Sequence, residues 1–141
     1  MTERSAIQTL IEKAYEARVK GDLDGLMTYL HPDCRFQLMG TIDDKPICEQ
    51  QEGCEAVRNK LADFIKEFTF KNFEALDIVI EGERAACRWR ADVTFGPTGR
   101  TRNFETLDLL TFEGGKLRSI AQFTDTASLA RLTAAASVAA P

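Results

Sequence analysis

The spacing of apolar residues changes character near residue 70. Upstream it is mostly helical, and downstream it alternates as strands do. Ile7, Leu10, Ile11, Ala14, Tyr15 and Arg18 lie along one broad face of a first helix, for which Thr2 or Ser5 is the candidate cap. Gly21 suits the left-handed residue that closes this helix, and Asp22 suits the cap of a second, short one. Leu23, Leu26, Met27 and Leu30 give that short helix an apolar side, and Pro32 stops it. Cys34, Phe36 and Leu38 then alternate with Arg35 and Gln37, which predicts a strand. Residues 40–52 read as a long polar loop, and residues 53–68 as a helix with Val57, Leu61, Phe64, Ile65 and Phe68 in register. Four strands follow over residues 70–81, 84–95, 101–112 and 116–124, separated by glycine-containing turns. A short terminal helix is expected from residue 126 to about 135, and a disordered tail over residues 136–141.

Helices followed by a run of antiparallel strands predict an α+β domain whose helices cover one sheet face. A long first helix closing a strongly curved, mixed but mostly antiparallel sheet makes a cone, with a natural apolar pocket inside. With 141 residues, one domain over residues 1–135 accounts for the pattern.

Composition narrows the function classes. A formal charge of -4, with cations scattered among acids, argues against a nucleic-acid partner. No apolar run reaches membrane-spanning length and the first helix is charged throughout, so no membrane association and a cytoplasmic location are expected. The four cysteines fit no zinc spacing and only one histidine could join them, so neither a metal nor a cofactor is expected. Cys34 and Cys87 read as core residues. Cys48 and Cys54 flank the loop, where a disulfide would be at odds with a reducing compartment. His31, just before Pro32, reads as a cation at a helix end.

Several short motifs carry a family resemblance: Gly21-Asp22-Leu23-Asp24-Gly25-Leu26, the strand entry at Pro32-Asp33, Pro97-Thr98-Gly99-Arg100, and Phe112-Glu113-Gly114-Gly115-Lys116-Leu117. Together they cover nearly the whole chain, which resembles the nuclear-transport-factor-2-like superfamily of cone-shaped, cystatin-like folds. Ketosteroid isomerases, SnoaL-type polyketide cyclases and limonene epoxide hydrolases belong to it. The resemblance to ketosteroid isomerase places Ala14 at that family's tyrosine position, with Tyr15 next to it and rotated away. It places Leu38 at the base position and Asp108 at the later acid. The resemblance to limonene epoxide hydrolase rests on Arg90-Ala91-Asp92, but puts Gln122 where a second acid belongs. Polyketide cyclases ask only for one acid/base carboxylate in an apolar pocket, which Asp92, Asp108 or Asp125 could supply.

The candidate catalytic residues are therefore Asp108, Asp92 and Arg90, with Arg90 setting the charge of Asp92 if both face inward. Which phase of strand 84–95 lines the pocket is open, since Cys87, Trp89, Ala91 and Val93 compete with Arg88, Arg90 and Asp92. Asp125 reads better as a helix cap. Tyr15, Phe36, Leu38, Phe64, Trp89, Phe104, Gln122 and Phe123 are the candidate substrate-binding residues, with Tyr15 placed to polarise an oxygen. The resemblance implies a small apolar ligand, and acid/base cyclisation, isomerisation or hydration; a non-catalytic binding or dimerisation module is the alternative. It also implies a homodimer formed through the open sheet face.

Overall fold

The structure is a computed structural model, described over residues 3–43 and 45–134. The chain runs α1 (Arg4–Lys20), α2 (Leu23–Met27), β1 (Leu30–Leu38), a 3-10 turn (Pro46–Cys48), β2 (Gln51–Glu52), α3 (Cys54–Glu67), β3 (Phe68–Glu81), β4 (Arg84–Phe95), β5 (Arg100–Glu113), β6 (Lys116–Phe123) and α4 (Thr126–Thr133). The expected tail at residues 136–141 and the candidate cap Thr2 lie outside the described residues. No helix among those residues is long and apolar enough to cross a membrane.

Gly21 closes α1 in the left-handed conformation, φ 76°, and the Asp22 carboxylate accepts the Gly25 N–H at 2.9 Å to cap α2. The start of α1 differs from expectation. Glu3 occupies the cap position without a side-chain bond, and Ser5 lies inside the helix. Leu30 does not close α2 either. It opens β1 opposite Leu117, and the β1–β6 register shifts between Leu30 and Arg35, around the Pro32 ring that cannot donate to a ladder.

The six strands form one sheet in the order β2-β1-β6-β5-β4-β3, parallel only between β1 and β6. The sheet is open and curved, giving the cone-shaped α+β architecture. β3 is irregular: Asn72 takes φ 55° and the register to β4 shifts on both sides of Ala75. Strict alternation would place Phe70 and Phe73 on opposite faces. The irregularity brings both rings onto Trp89, at centroid distances of 5.1 and 5.4 Å.

The open question about β4 has a clear answer. Cys87, Trp89, Ala91 and Val93 are buried beneath the helices, and Arg88, Arg90 and Asp92 are on the outer face. One row of paired residues crosses the concave face from Leu38 through Gln122 and Asp108 to Cys87 and Ile78. The next row runs from Phe36 through Ile120, Leu110 and Ala85 to Ile80. Ile7, Ile11 and Ala14 of α1 and Val57 and Leu61 of α3 complete the core above these rows.

Candidate functional site

On β5 the usual burial pattern is inverted. Leu109 is 45% exposed on the outer face, whereas Asp108 is 3% exposed and points into the cone. A buried carboxyl must be paired or hydrogen-bonded, because leaving water is costly for its charged form. Three neighbours meet that demand. Gln122, directly opposite on β6, donates Nε2 to Oδ1 at 3.0 Å. Trp89 on β4 donates Nε1 to Oδ2 at 2.9 Å. Tyr15, reaching across from α1, donates its hydroxyl to the same Oδ2. Among the described residues no cation forms an ion pair with Asp108.

Burial pushes the Asp108 carboxyl above the usual carboxylate range, while the bonds from Tyr15, Trp89 and Gln122 pull in the opposite direction. Tyr15 is raised well above the ordinary tyrosine value, by burial first and by the charge of Asp108 next, so it stays a neutral donor. The Cys87 thiol, next to Asp108 in the β4–β5 pairing, is pushed up to about 11 by burial and remains protonated.

Asp108 borders an apolar cavity made of two adjoining chambers. One has a volume of about 80 Å³, and Tyr15, Phe36, Leu61, Asp108 and Ile120 are among its walls. The other, of about 50 Å³, extends past Leu38, Ile47, Phe104 and Leu129, so the 40–52 loop contributes a wall through Ile47. Arg18, Phe64, Phe70, Trp89 and Gln122 border both chambers.

Arg18, one turn after Tyr15 on α1, was legible only as part of the first helix's inner face. Its Nη2 donates to the carbonyls of Phe64 at 3.2 Å and Phe68 at 2.8 Å, and its guanidinium stacks 3.9 Å from the centre of the Phe70 ring. Burial lowers its pKa to about 10, which leaves it cationic at neutral pH. An arginine at helical spacing within an otherwise apolar face was the available signal.

The structure brings Tyr15, Phe36, Leu38, Phe64, Trp89, Phe104, Asp108 and Gln122 to this cavity. Tyr15 is not rotated away from the later acid, since its hydroxyl meets Asp108. Arg90 and Asp92 are not part of the site. Arg90 bonds Glu74 at 2.9 Å on the outer face, and Asp92 accepts from Asn72 at 2.8 Å and Asn103 at 3.0 Å. Those two amides hold Asp92 below its ordinary range. Phe123 is 42% exposed, since the alternation that turns Gln122 inward turns its neighbour outward. Asp125 caps α4 through Ser128 N at 3.0 Å. His31 lies in β1, accepting from Asp33 N at 2.9 Å, and serves no helix end. Among the described residues no group of three or more His, Cys, Asp or Glu side chains is arranged to hold a metal ion.

The model of the SnoaL-like domain matches residues 11–120, which contain the part of α1 that carries Tyr15 and Arg18 and the whole Asp108 strand. The chain belongs to the SnoaL-like domain family. Solved structures share this SnoaL-like fold at low identity. An NTF2-like protein from Burkholderia xenovorans is 24% identical with a TM-score of 0.79, covering 95% of this chain and 99% of its own. An isomerase candidate from Rhodopseudomonas palustris is 19% identical with a TM-score of 0.78, covering 94% and 97%. A polyketide-cyclase candidate from Xanthomonas campestris is 15% identical with a TM-score of 0.76, covering 94% and 100%. No match is found among curated proteins.

Proposed function

We propose that this SnoaL-like domain is a cofactor-independent acid/base catalyst acting on a small, largely apolar molecule held in the cone. Asp108 is the group that exchanges the proton. The observation that carries this reading is a buried carboxyl, facing an apolar chamber, held by Tyr15, Trp89 and Gln122 without a cationic partner. A fixed carboxylate of raised basicity suits abstraction of a proton beside a carbonyl. The C–H bond breaks, the proton passes to an Asp108 oxygen, and its return to a different carbon of the delocalised anion isomerises the substrate. If an internal electrophile captures the anion instead, a ring closes. Tyr15 is a positioning residue in this scheme. Its hydroxyl is engaged by Asp108 and is not offered to a substrate oxygen.

The test is deuterium incorporation, followed by proton NMR, into a panel of bicyclic ketones such as β-tetralone. The wild type is expected to accelerate exchange, and Asp108→Asn to lower the rate by about a hundredfold or more. An Asp108→Asn protein that exchanges at the wild-type rate would overturn the reading.

A second reading, a non-catalytic binding module, is favoured by one specific observation. Leu38 and Gln122 border the cavity where related enzymes carry further acids, so Asp108 is the single carboxyl lining either chamber among the described residues. Failure of the wild type to exchange any ketone in the panel would support that module.

A further inference from the structure

The proton-exchange reading leaves one group of the cavity without a task. Arg18 borders both chambers, and among the described residues no carboxylate forms an ion pair with it. Its two hydrogen bonds, to the carbonyls of Phe64 and Phe68, both leave from Nη2. Those bonds and the Phe70 ring underneath fix the plane of the guanidinium. Nε and Nη1 make neither of these bonds, and no fully buried side-chain nitrogen or oxygen lacks a partner among the described residues, so both nitrogens keep accessible surface. The result is a positioned fork of donors on an apolar wall. Such a fork matches two oxygens of an anion far better than it matches water alone.

We propose that the cavity selects a largely apolar organic monoanion, a carboxylate or an acidic enol ionised at neutral pH, whose charged oxygens dock on Arg18 while its apolar body reaches Asp108. This rests on the proton-exchange reading for what happens at Asp108, but not for the binding itself. Arg18 and Tyr15 stand three residues apart on one face of α1, so the anion and the reacting carbon are presented to the same wall of the second chamber. A neutral compound of the same shape fills the chambers but leaves the fork unpaired.

The experiment compares two transparent probes of one shape, 4-tert-butylcyclohexanecarboxylate and the corresponding carboxamide. The single tryptophan of the chain, Trp89, stands in the cavity wall and reports occupancy by its fluorescence. In the wild type the carboxylate is expected to bind at least about tenfold more tightly than the carboxamide. In Arg18→Met that preference falls below about twofold. Arg18→Lys, which keeps the charge but loses the fork, is expected to fall between the two. It carries the comparison should Arg18→Met fail to fold. Equal affinities for the two probes in the wild type, or a preference that survives in both variants, would overturn the inference and leave the Asp108 reading standing. Fluorescence unmoved by either probe would overturn the inference, while the Asp108 reading stands or falls on deuterium exchange. Loss of deuterium exchange without loss of the probe preference would sink the Asp108 chemistry alone.

Discussion

Replacing Asp108 by Asn removes a charge while keeping the shape and most of the hydrogen bonding. The amide oxygen can still accept from Tyr15 and Trp89, and Gln122 can turn its own amide to meet the new NH2. Burial holds the folded-state pKa of Asp108 above its unfolded value of about 3.9. Between those two values the native protein binds more protons than the unfolded chain, so the slope of unfolding free energy against pH is negative. The stabilisation from Asp108 is therefore complete below about pH 4 and is lost as pH rises through the folded value. The wild type should lose about 1.4 kcal/mol relative to Asp108→Asn for each unit by which the pKa is raised. In a domain of this size each kcal/mol moves the melting temperature by about 4 °C. Below about pH 4 the two proteins should agree within about 1 kcal/mol, since the neutral acid and the amide make similar bonds. The assay is thermal and urea unfolding of both proteins across the acid to neutral range, plotted as a difference. Asp92 and Asp125, whose carboxyls are held low, change both proteins alike and cancel. A flat difference would refute the reasoning. A difference that favours the wild type more strongly as pH rises would reverse it, since the three donors would then outweigh burial.

Tyr15→Phe removes one donor from the carboxylate. It is expected to cost about 1–2 kcal/mol in urea unfolding and to move the midpoint of the Asp108 pH profile to higher pH, and an unmoved midpoint would count against the Tyr15 bond. Arg90→Gln and Asp92→Asn act on the exposed outer face, so each should change stability by less than about 1 kcal/mol and leave deuterium exchange at the wild-type rate. A drop in exchange for either variant would return them to the site. The homodimer implied by the family resemblance is proposed to use that outer face, where Val79, Leu109 and Phe123 are exposed. Light scattering at micromolar concentration should report twice the chain mass, and a monomer mass would refute the proposal.

The order of elements was legible because each leaves a strong local mark. Gly21-Asp22 closes one helix and caps the next, and strand 84–95 alternates without interruption over the bounds it has in the structure. The phase of that strand was not legible, because an alternating strand has two faces and only the tertiary partner says which is covered. Asp108 stood out as an acid among leucines, and in the structure the acid is inside and Leu109 outside. The motif alignment turned Tyr15 away, whereas the helical spacing of α1 had already placed it on the inner face that meets Asp108. Arg18 went unassigned because its partners are the backbone carbonyls of Phe64 and Phe68, and a backbone acceptor leaves no trace in the sequence. Phe70 and Phe73 meet Trp89 only through the irregularity at Asn72, which no alternation rule anticipates.

The placement of Tyr15 and Arg18 makes closure of the cone and assembly of the site a single event. Ile7, Ile11 and Ala14 dock α1 on the core, and the same face carries the hydroxyl that reaches Asp108 and the guanidinium that reaches the end of α3. Without α1 docked, Asp108 would lose one of its three donors, and the carbonyls of Phe64 and Phe68 would lose their bonds from Arg18. The polar groups are thus held by an element with a large apolar anchor, so their geometry does not depend on a mobile loop. Asp108 and Gln122 stay fixed by the β5–β6 pairing whether or not α1 is seated. A ligand that bridges Arg18 and Asp108 would therefore tie the helix to the sheet, and should slow hydrogen exchange in α1 more than in β5 or β6.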